Sequence, residues 1–250
     1  MKIKAFINKV WAPIAWIVLW QAAAMIISNR LILVSPCGVI SRFFELVREK
    51  AFWISIFNTG ERIIAGYVSG LAVGTLLAAA ASKFTVFRSF LSPFISTVKA
   101  IPVASFTILA LFLIPSKNLS VLVTFLISLP SVYSNIITGI DNTDKKLLEM
   151  ADLFGIKGYR KVIYIYFSQI LPYFKSAATV SAGLSWKSGV AAELIVISTA
   201  SIGEMLYQAK VGLESADLFA WTMTVILLSY MTEFIFIKII DGLWHAVERI

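Results

Sequence analysis

The sequence contains few of the residues from which catalytic and redox sites are usually built. Its 250 residues include one cysteine and one histidine, Cys37 and His245. A single cysteine excludes a disulfide within the chain and is typical of a small apolar side chain. A single histidine argues against a histidine metal centre or a histidine-based triad. The sequence also lacks the Gly-x-x-x-x-Gly-Lys-Ser/Thr loop, so the chain is not expected to hydrolyse ATP itself.

Charged residues are scarce as well, and their absence leaves long apolar segments. Only 14% of the residues are charged and 59% are hydrophobic, whereas a soluble domain has roughly 25% charged residues. Segments with few or no charges cover residues 10–29, 63–82, 89–116, 118–140, 162–192 and 218–240. Because a bilayer requires helices of about 20 residues, the sequence predicts an all-α, polytopic membrane protein of about six transmembrane helices. The first apolar segment lacks the small-residue cleavage site of a signal peptide.

The distribution of basic residues predicts the orientation in the membrane. With the amino terminus in the cytoplasm, twelve of the 22 Lys and Arg residues fall in inner segments and seven in outer ones. This bias follows the positive-inside rule and also places the carboxy terminus and the polar loop at residues 141–161 inside. The net charge of +8 is then explained by topology and by anionic lipids, and not by nucleic-acid binding.

The amino-terminal quarter is expected to differ from the rest of the chain. Residues 1–58 would form a first transmembrane helix and an outer connection, and residues 59–250 the core of the transmembrane domain. Residues 35–60 are too charged to span the bilayer. Their large apolar side chains suit a helix that lies at the membrane interface. These side chains are Phe43, Phe44, Val47, Phe52 and Trp53.

The polar loop at residues 141–161 separates two of the apolar segments. Asn142, Thr143 or Asp144 can cap a short helix there, and Gly155 can end it. The apolar positions predicted to form one stripe of this helix are Leu147, Leu148, Ala151 and Phe154. A helix of this kind lies on the membrane surface or docks on another protein, and the pattern alone leaves both readings open.

The segment Glu149-Met-Ala-Asp-Leu-Phe-Gly155 resembles the EAA loop in the permeases of ABC importers. That pattern is Glu-Ala-Ala, three residues, Gly, nine residues and then Ile-x-Leu-Pro. Met150 stands in place of the first alanine. The last motif falls on residues 165–168, where phenylalanine and serine replace leucine and proline, and Pro172 follows four residues later.

Further matches extend this resemblance over most of the chain after residue 58, to the nitrate-, sulfonate- and taurine-type permeases. The matching segments are Thr59-x-x-Arg62-x-x-x-Gly66-Tyr67, then Pro93 followed by Lys99-Ala-Ile-Pro102-Val-Ala104, and finally Trp186-x-x-x-Val190-x-Ala192-Glu193 followed by Ile202-Gly203. They occur in the order and at the spacings of that family. Lys99 departs from the pattern, since the family has arginine at that place.

The resemblance implies a type I importer fold, called MetI-like, in a subunit that is not an enzyme. It implies a second and identical permease subunit, two cytoplasmic ABC ATPase subunits and an extracytoplasmic solute-binding protein. ATP and magnesium would bind to the ATPases, and no cofactor to this chain. The solute would be small and anionic or heteroaromatic. The residues that would couple the chain to the ATPases are Glu149, Met150, Ala151, Leu153, Phe154 and Gly155.

Several ionisable residues lie within the apolar segments, where each costs at least ~2.5–3.5 kcal/mol at the bilayer centre. They are Lys99, Lys175, Lys187, Glu193 and Glu233. The candidates for a solute pathway are Lys99, Trp186, Lys187 and Glu193. The alternatives are that these residues reach the membrane surface from the ends of the spans, or that Lys187 pairs with Glu193 for structural reasons.

Two other kinds of function remain possible from the sequence. A transporter that works without an ATPase could use Glu193 or Glu233 as a proton site. A structural membrane adaptor is compatible with a short helix that lies on the membrane surface. An intramembrane enzyme would need a pair of carboxylates, a nucleophile with a base, or a metal cluster, and the sequence presents none of these patterns.

Overall fold

The computed structural model describes residues 2–27, 29, 31–156 and 158–248. Lys157, which belongs to the predicted polar loop, lies outside them. All regular structure in the described residues is helical, which confirms the predicted all-α fold class. The helices are α1 (Lys2–Ile27), α2 (Pro36–Leu46), α3 (Lys50–Lys83), α4 (Thr85–Ala100), α5 (Val103–Leu111), α6 (Ser116–Asp141), α7 (Lys145–Leu153), α8 (Tyr159–Lys161), α9 (Ser168–Val196), α10 (Ile202–Val211) and α11 (Ser215–Glu248). A π-helical stretch, Val162–Phe167, joins α8 to α9.

Three of the described helices are long and apolar enough to cross a membrane, namely α3, α6 and residues 215–242 of α11. The bent pair α4 and α5 makes a fourth if it counts as one span. In α1, the apolar part is the shorter stretch Trp11–Ile27. With 29 residues, α9 is long enough to span, but serine, glycine and charged residues lower its hydropathy.

The apolar segment at residues 89–116 is not a single straight helix. The axes of α4 and α5 differ by 98° at a break on either side of Pro102. Proline has no N–H to continue the helical hydrogen bonds, and it pushes the preceding residue out of the α region. Ile101 accordingly has φ −68° and ψ 125°.

The outer connection is shorter than the sequence predicts. It contains the expected amphipathic helix, α2, which begins at a Ser35 cap that accepts a hydrogen bond from the Gly38 N–H. Residues 50–60, however, already belong to the 34-residue helix α3, so the expected boundary after residue 58 falls inside that helix. The reason is packing: Phe52 is buried and contacts the ring of Trp221 at a centroid distance of 5.0 Å.

Ionic contacts join α2 to the start of α11. The Arg42 guanidinium donates two hydrogen bonds to Asp217, one of 2.5 Å from Nε and one of 2.9 Å from the second nitrogen. Glu45 accepts another at 2.9 Å. These carboxylates raise the pKa of Arg42 above its ordinary value. The planar fork of the guanidinium matches a carboxylate in this bidentate geometry, so α2 has a fixed position over the bundle.

The centre of the bundle is the contact between α3 and α6, where glycines replace side chains. Gly66, Gly70 and Gly74 recur every four residues on α3 and face α6. A Cβ atom at Gly66 would lie 1.9 Å from the Thr124 hydroxyl oxygen, and one at Gly70 would lie 2.6 Å from the Ser128 Cβ. Small residues at this spacing let two membrane helices approach with their backbones nearly in contact.

The third helix of the centre, α9, packs against the pair through small residues. Its buried face includes Ala178, Ser181, Ala182 and Gly189. Gly189 lies so close to Ile63 and Thr124 that an added Cβ would come within 3 Å of both. The helices α3, α6 and α9 therefore form a close-packed core, and α4, α5, α10 and α11 pack against it.

Replacement of Gly70 tests this close packing. Gly70→Leu inserts a side chain where the backbone of α6 leaves no room, so we expect a loss of roughly 1–3 kcal/mol of stability or more. Thermal unfolding of the detergent-solubilised protein, followed by tryptophan fluorescence, measures the loss. The matched control is Gly242→Leu, at a helical glycine with no neighbouring atom within 4 Å of an added Cβ. Equal melting temperatures of the two variants would contradict the packing argument.

Candidate functional site

The short helix in the polar loop is anchored by local hydrogen bonds. Asp144 is the residue that caps α7, since its carboxylate accepts a hydrogen bond of 2.8 Å from the Lys146 N–H. Thr143 is buried and donates to the Gly139 carbonyl at the end of α6, over 3.1 Å. At the other end, the Lys161 ammonium contacts the Asp152 carboxylate at 2.9 Å. The loop is therefore tied to itself and to α6.

The end of α7 turns on a glycine, as the sequence predicts. Gly155 has φ +69°, a conformation that disfavours side chains, and nothing lies within 4 Å of its added Cβ. The Ile156 N–H donates to the Ala151 carbonyl at 2.8 Å, which closes the turn. Gly158 has φ +63° and makes the second bend of the loop. The positive φ angle therefore explains the glycine at both positions, and a lack of space for a side chain does not.

The four residues of the predicted apolar stripe of α7 differ in their exposure. Ala151 is fully buried, and Leu147 and Leu148 are half-buried. Phe154, predicted on the same stripe, is 77% exposed because it stands at the end of the helix, where the backbone begins to turn. Leu153 is 87% exposed beside it.

A group of side chains on α7 points away from the bundle. Met150 is 47% exposed and lies next to Leu153 and Phe154 in this exposed group, and Glu149 is exposed as well. Large apolar side chains this exposed on a short, anchored helix mark a surface for contact with another molecule. The structure thus brings five of the six predicted coupling residues to the surface, and Ala151 faces inward.

The most buried ionisable group of the bundle is Glu193, on α9. It has no exposed surface. The Thr59 hydroxyl donates to one of its carboxylate oxygens at 2.8 Å, and Arg62 approaches the other at 3.3 Å. The Ser120 hydroxyl adds a longer contact of 3.4 Å. The suggested pairing of Glu193 with Lys187 is therefore wrong, because the partner is Arg62, 131 positions away in the sequence.

The same cluster holds the turn between α9 and α10. Arg62 also donates to the Ser198 hydroxyl at 2.9 Å, and the Ile202 N–H donates to the Thr59 hydroxyl at 2.9 Å. Within this turn, Ile197 has φ 51°, a costly conformation for a β-branched residue. Such backbone strain persists only where surrounding contacts fix it, and here the contacts come from the Arg62 and Glu193 cluster.

The four candidate pathway residues lie in different surroundings. Trp186 is buried, and its indole N–H donates to the Thr232 hydroxyl at 2.9 Å. Lys99 is exposed and donates to the Ser134 hydroxyl at 2.6 Å, just before the break between α4 and α5. Lys187 is exposed and lines a cavity of about 420 Å³ between α9, α10 and α11. Trp186 and Glu193 are thus part of the protein interior, whereas the two lysines are accessible.

The other ionisable residues of the apolar segments have simpler places. Lys175 forms an ion pair of 2.6 Å with Asp241 of α11, between side chains that are both partly exposed. Glu233 is half-buried on α11. These positions agree with structural roles.

Sequence reasoning did not connect Thr59 and Arg62 with Glu193. The signal was present, because Thr59 and Arg62 are three residues apart on one face of α3 and both appear in the matched motifs. A buried carboxylate requires a cation and hydroxyl donors, and Arg62 and Thr59 supply both, so they are suitable partners for Glu193.

The comparisons with known proteins agree with this arrangement. A family model, the binding-protein-dependent transport system inner membrane component, matches residues 70–244. The chain belongs to this family. It is therefore an importer permease: a multi-pass, non-catalytic membrane subunit, in a family that works with ATPases and a solute-binding protein. This membership confirms the predicted family and its MetI-like fold.

Several relatives extend the match over most of the permease. The putative aliphatic sulfonates transport permease protein SsuC of Bacillus subtilis is 25% identical over 227 residues, which cover 88% of this chain and 80% of the relative. Its namesake in Escherichia coli is 24% identical over 235 residues, covering 93% and 88%. A putative ABC transporter permease of Methanocaldococcus jannaschii is 24% identical over 211 residues, covering 82% and 79%.

Removal of the buried carboxylate tests the cluster at Glu193. Glu193→Ala leaves Arg62 without its partner, and we expect a loss of roughly 3–5 kcal/mol in the stability of the permease. Thermal unfolding in detergent measures the loss. Glu193→Gln keeps the shape and an acceptor for Thr59, so its loss should be smaller. The matched control is Lys187→Ala, an exposed residue on the same helix; a Glu193→Ala variant as stable as this control would show that the cluster contributes nothing.

Proposed function

We propose that this permease forms a pair with an identical copy and couples through α7 to two cytoplasmic ATPase subunits. Both termini and the 141–161 loop lie in the cytoplasm in this proposal, and an external solute-binding protein delivers the solute. ATP and magnesium bind to the ATPases and not to this chain. The exposed apolar end of α7, formed by Met150, Leu153 and Phe154, is the observation that supports the proposal most directly.

The geometry of α7 fits a helix that another protein grips. Its Ala151 is buried, and just before its cap the Thr143 hydroxyl bonds to the end of α6. Its outer side carries three exposed apolar side chains and the carboxylate of Glu149, which a basic residue of the partner can bind. A helix fixed on one side and held on the other transmits a rigid-body movement to α6 and, through the loop, to α9. A helix that only lies on lipid has no need of the Glu149 charge at this face.

The solute in this proposal is a small anion, with sulfonates as the first class to test. Lys99 and Lys187 are accessible cations, and neither forms an ion pair among the described residues. Two relatives are named for aliphatic sulfonates. Glu193 does not serve the pathway in this proposal, since it is enclosed and held by Arg62.

A charge reversal on α7 tests the coupling. Glu149→Arg leaves the anchoring contacts of the loop intact, but it repels a basic partner, so co-purification of the ATPase subunits and solute-stimulated ATP hydrolysis should both fall at least tenfold. The matched control is Glu214→Arg, an exposed glutamate in the turn between α10 and α11 at the other end of the bundle. Uptake and ATPase binding at the wild-type level in Glu149→Arg would count against docking through α7.

A substitution at Gly155 tests the turn that positions the exposed group. Valine at φ +69° costs about 1–2 kcal/mol, so Gly155→Val should reorient Phe154 and weaken assembly with the ATPases. Asparagine tolerates this backbone region, and Gly155→Asn should therefore retain most of the assembly. Quantitative pull-down of the ATPase by the tagged permease measures both. If valine and asparagine behave alike, the positive φ is not what the assembly needs.

A further inference from the structure

A large apolar groove opens at the end of the bundle that carries the 141–161 loop. Its volume is about 630 Å³, within the range of cavities that hold organic ligands. One wall is the end of α3 with Ala79, and another is the end of α6 with Ile140. The third wall is formed by the π-helical stretch and the start of α9, including Phe167 and Phe174. No described site of the permease mechanism uses this space.

The groove lies where an irregular helix leads into α9. Residues Val162–Phe167 are π-helical, a form that is rare and is often found at functional positions. Phe167, which lines the groove, also stacks on Trp244 of α11, with ring centroids 5.9 Å apart. α6 and α9 stay in close contact beside the groove, where a Cβ added at Gly139 would lie 2.9 Å from the Tyr173 ring. The apolar space lies between this contact, the π-helical stretch and the end of α3.

The rim of the groove is polar and positively charged. Lys83, the last residue of α3, lines the groove together with Ser82, and both are exposed. The Lys83 ammonium lies 5.6 Å from the centroid of the Phe84 ring. Among the described residues, no carboxylate forms an ion pair with Lys83. The groove thus combines an apolar interior with one unneutralised cation at its mouth.

We propose that this groove binds one anionic phospholipid, with an acyl chain between α3, α6 and α9 and the phosphate group at Lys83. An amphiphile with one negative group matches both the apolar interior and the cationic mouth, whereas a small anionic solute matches the mouth alone. The assignment to the inner leaflet rests on the proposed orientation of the permease. There, each basic residue near the surface attracts anionic lipid with about 1 kcal/mol.

Native mass spectrometry of the full-length permease tests the proposal, with phosphatidylglycerol and phosphatidylcholine titrated separately. We expect one phosphatidylglycerol to bind in preference to phosphatidylcholine. Lys83→Ala should weaken phosphatidylglycerol binding roughly fivefold and leave phosphatidylcholine binding unchanged. The matched control is Lys238→Ala, because the Lys238 ammonium also lies 5.6 Å from an aromatic ring, that of Phe234, but outside the groove.

A second pair of variants tests the apolar interior. Ala79→Trp fills the groove from an exposed position on α3, and it should abolish the preferential lipid site. Ala72→Trp, also exposed on α3 but outside the groove, should not. Equal affinity for the two lipids, or Lys83→Ala indistinguishable from Lys238→Ala, would overturn the proposal. A change from dimer to monomer in Ala79→Trp, with lipid binding unchanged, would also overturn the proposal. The groove would then be the contact with a second copy of the permease and not a lipid site. The assay contains no ATPase, so its outcome is separate from that of the coupling experiments.

Discussion

The rest of this permease depends on how closely α3 and α6 approach each other. Gly66, Gly70 and Gly74 contribute no side chains to that contact, so the backbone of α3 lies against α6 over about two turns. Lipid tails are as apolar as the side chains of the helices, and burial of apolar surface therefore gives little drive for helices to associate in a bilayer. Dispersion contacts and hydrogen bonds between helices must supply it, and both require short distances. The buried hydroxyls of Thr124 and Ser128 in this contact bond to carbonyls of their own helix, which leaves none of them unsatisfied.

That close contact makes a second, more costly feature possible. Glu193 can remain buried only if its hydroxyl and guanidinium partners are held at hydrogen-bonding distance, since a buried charge without partners costs several kcal/mol. Thr59 and Arg62 lie on α3 and Ser120 on α6, so the α3–α6 contact places all three around α9. The cluster in turn fixes the turn to α10. One end of the bundle is thus a rigid unit, while the end with the π-helical stretch is open.

The features that the sequence predicts correctly are those set by local chemistry. Asp144 caps α7 and Gly155 ends it because capping and positive φ depend on a few neighbouring residues.

The features that the sequence does not predict depend on distant contacts. Arg62 and Glu193 lie far apart in the chain, and only the packing of α3 against α9 joins them. Phe154 is more exposed than the rest of the predicted stripe because it follows the last residue of α7. Pro102 indicates a break in the helix, but the 98° angle between the axes of α4 and α5 depends on how α5 packs on α6 and α9. The roles assigned to the exposed residues of α7 and to the two accessible lysines stay predictions.

The polarity of α9 has a consequence for biogenesis. With Lys175, Lys187 and Glu193 in one helix, α9 is a poor candidate for partitioning into lipid on its own. Its buried Glu193 is satisfied by side chains of α3 and α6, and its Ser185 hydroxyl bonds to Ser128 of α6, and both of these helices are synthesised earlier. The insertion machinery must therefore keep those two helices nearby until α9 emerges, so that the three enter the bilayer as a group. Folding of this chain is in that sense coupled to the order of its synthesis.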